Sequence, residues 1–273
     1  GVGFLNSLCS NRRETHLIKL ERHFSMMREA RMDTLMLFFN FKTLLNCIRL
    51  KKKPLLHALR QGQFPGPEAF SDLDPYFDLA REKGFKTSIV LQTNRQMMRP
   101  FVEEASGRSG LKEDGYEFDR YAGWLLKTLS DYLRKKGYTR LHVKLWDEIE
   151  PDRIEDWNRE ADFFIRNGWQ PFTTLTGKTA QHAAYLKLLN SRSTQWHIQL
   201  LNLYRFFKAA GEGRSVDPDD EIWFYGGGRD LNTFSYLNMR LYGWVAGYYG
   251  VDGYAIWSYY HWKTRGAAIQ ENG

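Results

Sequence analysis

The feature that most constrains this chain is a regular alternation of short apolar segments with longer amphipathic ones. The short segments are rich in β-branched and aromatic residues, which is typical of strands buried in a sheet. They predict eight strands: Val2–Asn6, Thr34–Asn40, Lys86–Gln92, Arg140–Trp146, Pro171–Thr176, Thr194–Leu200, Glu221–Tyr225 and Gly253–Tyr259. Because segments with helical spacing separate them, the pattern favours repeated strand–helix units and a parallel sheet.

The amphipathic segments predict helices at about 15–30, 201–210 and 234–249, and three further helices that each stop before a glycine. These three are Asp74–Lys83, Tyr116–Lys136 and Arg153–Asn167, followed by Gly84, Gly137 and Gly168. Glycine favours a helix end because it adopts the left-handed backbone that closes the last turn. The segments 41–73 and 93–115 are predicted as loop-rich excursions that follow the second and third strands.

The number of strand–helix units indicates the fold. Eight units within 273 residues fit a (β/α)8 TIM barrel, for which ~250 residues is typical. The rival arrangement, a doubly wound open sheet, should carry a glycine-rich phosphate-binding turn after its first strand, and Asn6–Cys9 is not one. We therefore expect a single α/β domain over residues 1–273, with its active site at the carboxyl ends of the strands.

Composition and charge narrow the class of partner. The chain is 42% hydrophobic and 26% charged, as globular proteins are, and no apolar run approaches the ~18 residues of a membrane span. The net charge is +7, but basic residues run together only at 51–53 and 134–136, so we expect a solvated surface and no nucleic-acid partner. Cys9 and Cys47 follow neighbouring predicted strands. The sequence leaves open whether they form a disulfide, which would suit an exported protein, or are two free thiols.

Position separates the two Asp-Glu dipeptides of the chain. In a barrel, the carboxyl ends of the strands form the active-site face, and the amino ends form the face that serves stability. Asp220-Glu221 precedes the seventh strand and predicts a solvated turn, whereas Asp147-Glu148 closes the fourth strand. Charges at the end of the fourth strand are costly to desolvate and are not needed for folding, so Asp147 and Glu148 are the catalytic candidates.

Paired carboxylates at a strand end favour cleavage of a glycosidic bond. One carboxyl group can protonate the leaving oxygen, and in ordinary retaining enzymes a second carboxylate, ~5–5.5 Å away, is the nucleophile. The seventh strand ends without a carboxylate, and Asp230 follows several residues later. The pattern therefore favours a 2-acetamido substrate whose own amide oxygen attacks the anomeric carbon, with Asp230 as the alternative nucleophile.

Segments in the second half of the chain resemble glycoside hydrolase family 123. They are Trp146–Pro151, Glu221–Gly228, Met239–Trp244 and Gly250–Ser258, and the resemblance covers about 141–262. It implies a retaining, exo-acting β-N-acetylgalactosaminidase that works by substrate-assisted catalysis without a metal or other cofactor. By position, Glu148 would be the general acid and base, Asp147 would orient the acetamido group, and Tyr225 would bind the acetamido oxygen. The Asp-Glu pair also resembles that of family 20 hexosaminidases, so N-acetylglucosamine stays open as the sugar.

Aromatic and polar residues along the predicted strands and just beyond their ends are candidate walls of a sugar pocket, because an indole offers a large apolar face. The candidates are Trp196, Trp257, Trp262, Asn40, Arg229 and His261. His197, inside the sixth strand, is expected to be a core histidine. No His-x-His, His-Glu-x-x-His or Cys-x-x-Cys spacing occurs, so no metal site is expected. The expected partner is a glycan or glycoconjugate, and the alternative from another class is a barrel that binds sugars without cleaving them.

Overall fold

The computed structural model describes residues 13–29, 34–38, 52–175, 177–190, 192–211, 216–226 and 241–256. The strands in these ranges are β1 (Thr34–Phe38), β2 (Ser88–Gln92), β3 (Arg140–Lys144), β4 (Gln170–Leu175), β5 (Gln195–Gln199), β6 (Glu221–Gly226) and β7 (Gly253–Ile256). The helices are α1 (Arg13–Glu29), α2 (Lys52–Arg60), α3 (Asp74–Glu82), α4 (Arg95–Ser106), α5 (Tyr116–Lys135), α6 (Ile154–Arg166), α7 (Gly177–Ala180), α8 (Ala183–Asn190), α9 (Leu203–Gly211) and α10, described over 241–249. Short 3-10 segments cover Pro67–Leu73, Pro151–Arg153 and Leu200–Asn202. Within the described ranges, no helix is long and apolar enough to cross a membrane.

The strands form one parallel sheet in the order of the chain. Each strand from β1 to β7 pairs with the next one along the sequence. The register places Phe38, Gln92 and Lys144 side by side at the carboxyl edge. This order confirms the predicted α/β fold of repeated strand–helix units, because a doubly wound sheet would instead reverse its direction of growth from a central strand.

The described part of the sheet is curled and has seven strands, and it is not a closed barrel of eight strands. Its two edges are β1 and β7, each with one neighbour among the described strands. The predicted first strand, Val2–Asn6, lies outside the described residues. The other seven predicted strands are confirmed, and the ends that can be compared within the described residues differ by at most two residues.

Alternating side chains give the sheet two different faces. On the face toward the helices, apolar residues such as Leu141 and Val143 are buried in the main hydrophobic core. The enclosed face carries polar and aromatic residues instead. There the His197 ring stacks between Phe172, at 4.2 Å between ring centroids, and Trp223, at 5.4 Å. His197 is therefore a core residue, as predicted.

Helix ends and starts follow local chemistry. Gly84, Gly137 and Gly168 have φ of 98°, 90° and 85°, which confirms the predicted ends of α3, α5 and α6. The excursions predicted as loops contain α2 and α4. Pro54 lies in the first turn of α2, where the missing N–H of proline costs no helical hydrogen bond. Asn94 caps α4 because its side chain accepts a backbone N–H at 2.9 Å.

Candidate active site

The Asp147–Glu148 pair lies where β3 leaves the sheet. The chain pairs with β4 on both sides of it, at Lys144 before and at Ile149 after. Lys144 pairs with Phe172 of β4, and Ile149 pairs with Leu175. The chain therefore advances five residues where β4 advances three, so it has two more residues than β4 between these pairs and they bulge out of the sheet. Both acidic residues are exposed at the carboxyl edge of the sheet. This is where a barrel-type fold places its active site.

Glu148 has a left-handed backbone with φ of 49°. No other non-glycine residue in the described part of the chain has a positive φ, and the conformation costs about 1–2 kcal/mol. Two hydrogen bonds to Thr174 of β4 hold the turn. The Glu148 N–H donates to the Thr174 hydroxyl at 2.6 Å, and the Ile149 N–H donates to the Thr174 carbonyl at 3.1 Å. Strain of this kind clusters at functional sites.

The Asp147 carboxylate is held through one of its two oxygens. Oδ1 accepts a hydrogen bond from the Lys144 ammonium at 2.7 Å and another from the Thr174 hydroxyl at 2.8 Å. Partial burial raises the pKa of Asp147, but the hydrogen bonds and the positive charge of Lys144 outweigh burial and leave the pKa below its ordinary value. Asp147 is therefore charged at neutral pH, and Oδ2 accepts no hydrogen bond from the described residues.

Lys144 brings its charge to the site from inside the curled sheet. Its side chain is 4% exposed, and it lies on the same face of β3 as His142. Burial and the charge of Arg140 lower the pKa of His142 to about 4. Burial, with the charges of Lys144 and His142, lowers the pKa of His197 well below its ordinary value. Both imidazoles are neutral at neutral pH, so the positive charge that faces Asp147 comes from Lys144.

Tyr225 connects the far side of the sheet to the acidic pair. Its hydroxyl, near the carboxyl end of β6, donates to Glu148 Oε1 at 2.9 Å. A flat sheet would hold β3 and β6 ~14 Å apart, so this contact depends on the curl. Burial, and then the hydrogen bond and charge of Glu148, raise the pKa of Tyr225 and keep it a phenol. The three residues predicted as catalytic thus lie together, although Tyr225 contacts a carboxylate, whereas the resemblance implies a contact with substrate.

Trp196 does not lie at this site, which corrects its prediction as a sugar-binding residue. Its side chain is 1% exposed on the helix-facing side of β5, where it packs against Phe206. Its indole N–H donates to Asp220 at 2.8 Å, at the opposite edge of the sheet. A fully buried indole offers no face to a sugar ring. Because side chains alternate along a strand, its neighbour His197 is the one that faces the enclosed side.

The second acidic dipeptide, Asp220-Glu221, lies at the amino edge of the sheet, as predicted. Glu221 forms an ion pair with Arg140 and accepts a hydrogen bond from Gln195 at 2.9 Å. Arg140 and Glu221 also line a cavity of about 500 Å³ at this edge. The sequence predicts a solvated turn here, but Asp220 binds the Trp196 indole and Glu221 binds Arg140, so both side chains contact other parts of the fold.

Five predicted binding residues lie outside the described residues and stay predictions: Asn40, Arg229, Trp257, His261 and Trp262. The same holds for Cys9, Cys47 and the alternative nucleophile Asp230.

Lys144 and Thr174 are site residues that the sequence analysis missed. The sequence signal for the lysine is weak, because Arg140, His142 and Lys144 alternate with Leu141, Val143 and Leu145, which also fits a strand with one solvated face. The structure buries both faces, so the charge needs a partner, and Asp147 stands three residues later. Thr174 had no comparable signal, since threonine is common in strands.

In the described part of the chain, no three His, Cys, Asp or Glu side chains are grouped as metal ligands would be. The functional assignment rests on the geometry of the Asp147–Glu148 pair. Comparisons of the chain with family models, with curated proteins and with solved structures find no match.

Proposed function

We propose that the protein is a retaining, exo-acting glycoside hydrolase that removes a terminal β-linked N-acetylhexosamine, with N-acetylgalactosamine favoured. The observation that carries the proposal is the exposed Asp147–Glu148 pair on its left-handed turn, with different donors on the two carboxylates. Carboxyl groups in different environments can take different acid and base roles in one site.

Glu148 is the general acid and then the general base in this proposal. The Tyr225 hydroxyl occupies Oε1, so Oε2 carries the proton that passes to the leaving glycosidic oxygen. The same carboxylate then takes a proton from the water that attacks the anomeric carbon, which restores the starting state. The hydrogen bonds from the turn to Thr174 keep this side chain in place through both steps.

Asp147 acts on the nucleophile, which is the 2-acetamido group of the substrate. The amide oxygen bonds to the anomeric carbon as the glycosidic bond breaks, and positive charge spreads over the cyclised oxazolinium. A charged Asp147 that accepts the amide N–H orients the group and stabilises that charge. The last residues of β6 are Tyr225 and Gly226, neither of which carries a carboxylate, and this favours a nucleophile supplied by the substrate.

The proposal includes a closed (β/α)8 barrel formed by a single domain over residues 1–273. In this proposal the eighth strand is the one that the sequence predicts at Val2–Asn6, outside the described residues. The resemblance to family 123 supports the same fold and reaction. The proposed partner is a glycan and not a nucleic acid, and the binding candidates outside the described residues stay predicted contacts for that glycan.

Release of nitrophenol from four aryl β-glycosides tests the proposal: the N-acetylgalactosaminide, the N-acetylglucosaminide, the galactoside and the glucoside. We expect cleavage of an N-acetylated sugar without cleavage of the plain sugars, and the better substrate identifies the epimer. Inhibition by a thiazoline that mimics the cyclised intermediate is expected as well. Cleavage of the plain sugars would indicate that the nucleophile is a side chain of the protein, with Asp230 as the candidate. Binding of these sugars without cleavage would indicate a sugar-binding protein instead.

A further inference from the structure

The geometry points to Lys144 and Thr174 as a positioning pair for Asp147: both bind Oδ1, so that Oδ2 alone is presented to the amide N–H of the substrate. The inference rests on the proposed function and adds two residues to it. Neither residue touches the reacting atoms, since both act through Asp147.

The Thr174 hydroxyl links the two acidic residues. It accepts the Glu148 N–H at 2.6 Å and donates to Asp147 Oδ1 at 2.8 Å. One side chain of β4 therefore orients the Asp147 carboxylate and also holds the backbone that presents Glu148. Because Lys144 binds the same oxygen, a rotation of the carboxylate would break both hydrogen bonds at once.

Lys144 secures the negative charge of Asp147. Its ammonium lies 2.7 Å from Oδ1 on a side chain that is 4% exposed. The other titratable groups around Asp147 are Glu148 and the phenol of Tyr225, and neither brings a positive charge. The buried histidines of β3 and β5 lie behind Lys144 and are neutral. Loss of Lys144 would leave burial as the dominant influence and raise the pKa of Asp147.

The first test removes and restores the hydroxyl of Thr174, with an aryl N-acetylhexosaminide as substrate. Thr174→Val keeps the shape of the side chain, and we expect kcat to fall about 100-fold, the usual effect of misplacing a catalytic group, with KM little changed. Thr174→Ser should recover most of kcat, because it restores the donor. Thr128→Val makes the same change at a buried position of α5 and should keep the wild-type kcat. A wild-type kcat in Thr174→Val, or a serine variant no better than the valine, overturns the role of Thr174.

The second test removes the charge of Lys144. In Lys144→Met we expect the acidic limb of the kcat/KM–pH profile to move up by about one unit or more, because Asp147 then needs a higher pH to ionise. A loss of folded protein would instead lower the rate at every pH. The matched control is Lys136→Met, which removes an ammonium that pairs with Asp74 and Asp78. An unmoved acidic limb in Lys144→Met overturns the role of Lys144.

A direct titration separates failure of this inference from failure of the proposed function. Carbon-13 NMR of carboxyl-labelled aspartates, with Asp147→Asn for assignment, gives the pKa of Asp147 without any substrate. We expect a value below the ordinary ~3.9 in the wild type and a higher value in Lys144→Met. Equal values overturn the inference even if the enzyme is active. The expected shift in a protein that cleaves no N-acetylhexosaminide would support the Lys144–Asp147 pairing and overturn the proposed function.

Discussion

Asp147 and Glu148 are neighbours in the chain, yet their carboxylates receive different donors. An ammonium and a hydroxyl bind Asp147, whereas a phenol binds Glu148. The donors on Asp147 hold it charged, and a single donor on Glu148 leaves its other oxygen available for proton transfer. At the scale of the residue, this asymmetry predicts that the two acids respond differently to substitution.

Under the proposed function, Glu148→Gln removes the group that protonates the leaving oxygen. We expect kcat/KM to fall about 10²–10⁴-fold for a substrate with a poor leaving group, such as a methyl or sugar aglycone. The loss should be much smaller for a dinitrophenyl glycoside, because that leaving group departs without a proton. Rates on the two substrates, measured side by side in wild type and variant, check this. An equal loss on both would contradict the role of general acid.

Under the proposed function, Asp147→Asn removes the charge that assists cyclisation. We expect kcat to fall about 10²–10³-fold even on a dinitrophenyl glycoside, because the amide oxygen must attack the anomeric carbon whichever group leaves. Glu148→Gln, assayed on the same substrate, is the comparison. Activity of Asp147→Asn close to wild type would rule out Asp147 as the residue that orients the acetamido group.

At the scale of the element, hydrophobic period and glycine positions predict most of the described strands and helix ends, because both depend on local chemistry. Which face of a short strand points inward does not depend on local sequence. The sequence Gln195–Gln199 fits either orientation, which is why Trp196 is predicted to contact sugar and instead packs against helices. The site partners are equally non-local, since Thr174 and Tyr225 lie 26 and 77 residues from Glu148.

Gly168, which ends α6, should not tolerate a side chain. Its φ is +85°, and an added Cβ would lie 3.1 Å from Ser130 Oγ. We expect Gly168→Ala to lower the free energy of unfolding by about 1–2 kcal/mol, measured by urea denaturation. Gly211, the last residue of α9, has no neighbouring atom of the described residues within 4 Å of an added Cβ, so Gly211→Ala is the matched control and should not destabilise. Equal losses in the two variants would contradict the assigned backbone conformation.

At the scale of the whole molecule, the curl of the sheet brings distant strands into one site and encloses the side chains beneath it. Tyr225 reaches Glu148 from three strands away because the sheet bends. The sequence predicts the parallel order but not the degree of curl, since curl is the summed twist and packing of every strand. The same enclosure buries His142 and His197 without a charge.

These enclosed histidines should make the fold sensitive to acid. The pKa of His142 is about 4 in the folded protein, against ~6.5 in an unfolded chain. Between these two values the unfolded state binds more protons, so the stabilisation is present above pH ~6.5 and is lost as the pH falls below it. The lowered pKa of His197 acts in the same direction.

His142→Phe tests this effect because it keeps a ring of similar size that cannot be protonated. Neither ring nitrogen of His142 has a hydrogen-bond partner among the described residues, so the substitution removes no bond there. We expect the loss of unfolding free energy between pH 7 and pH 4.5, measured by urea denaturation, to be smaller by about 2–3 kcal/mol in the variant. The exposed His57 of α2 is the control, since His57→Phe leaves both enclosed histidines in place and should keep the wild-type loss. If His142→Phe and the wild type lose the same stability on acidification, then His142 is not held neutral inside the curled sheet.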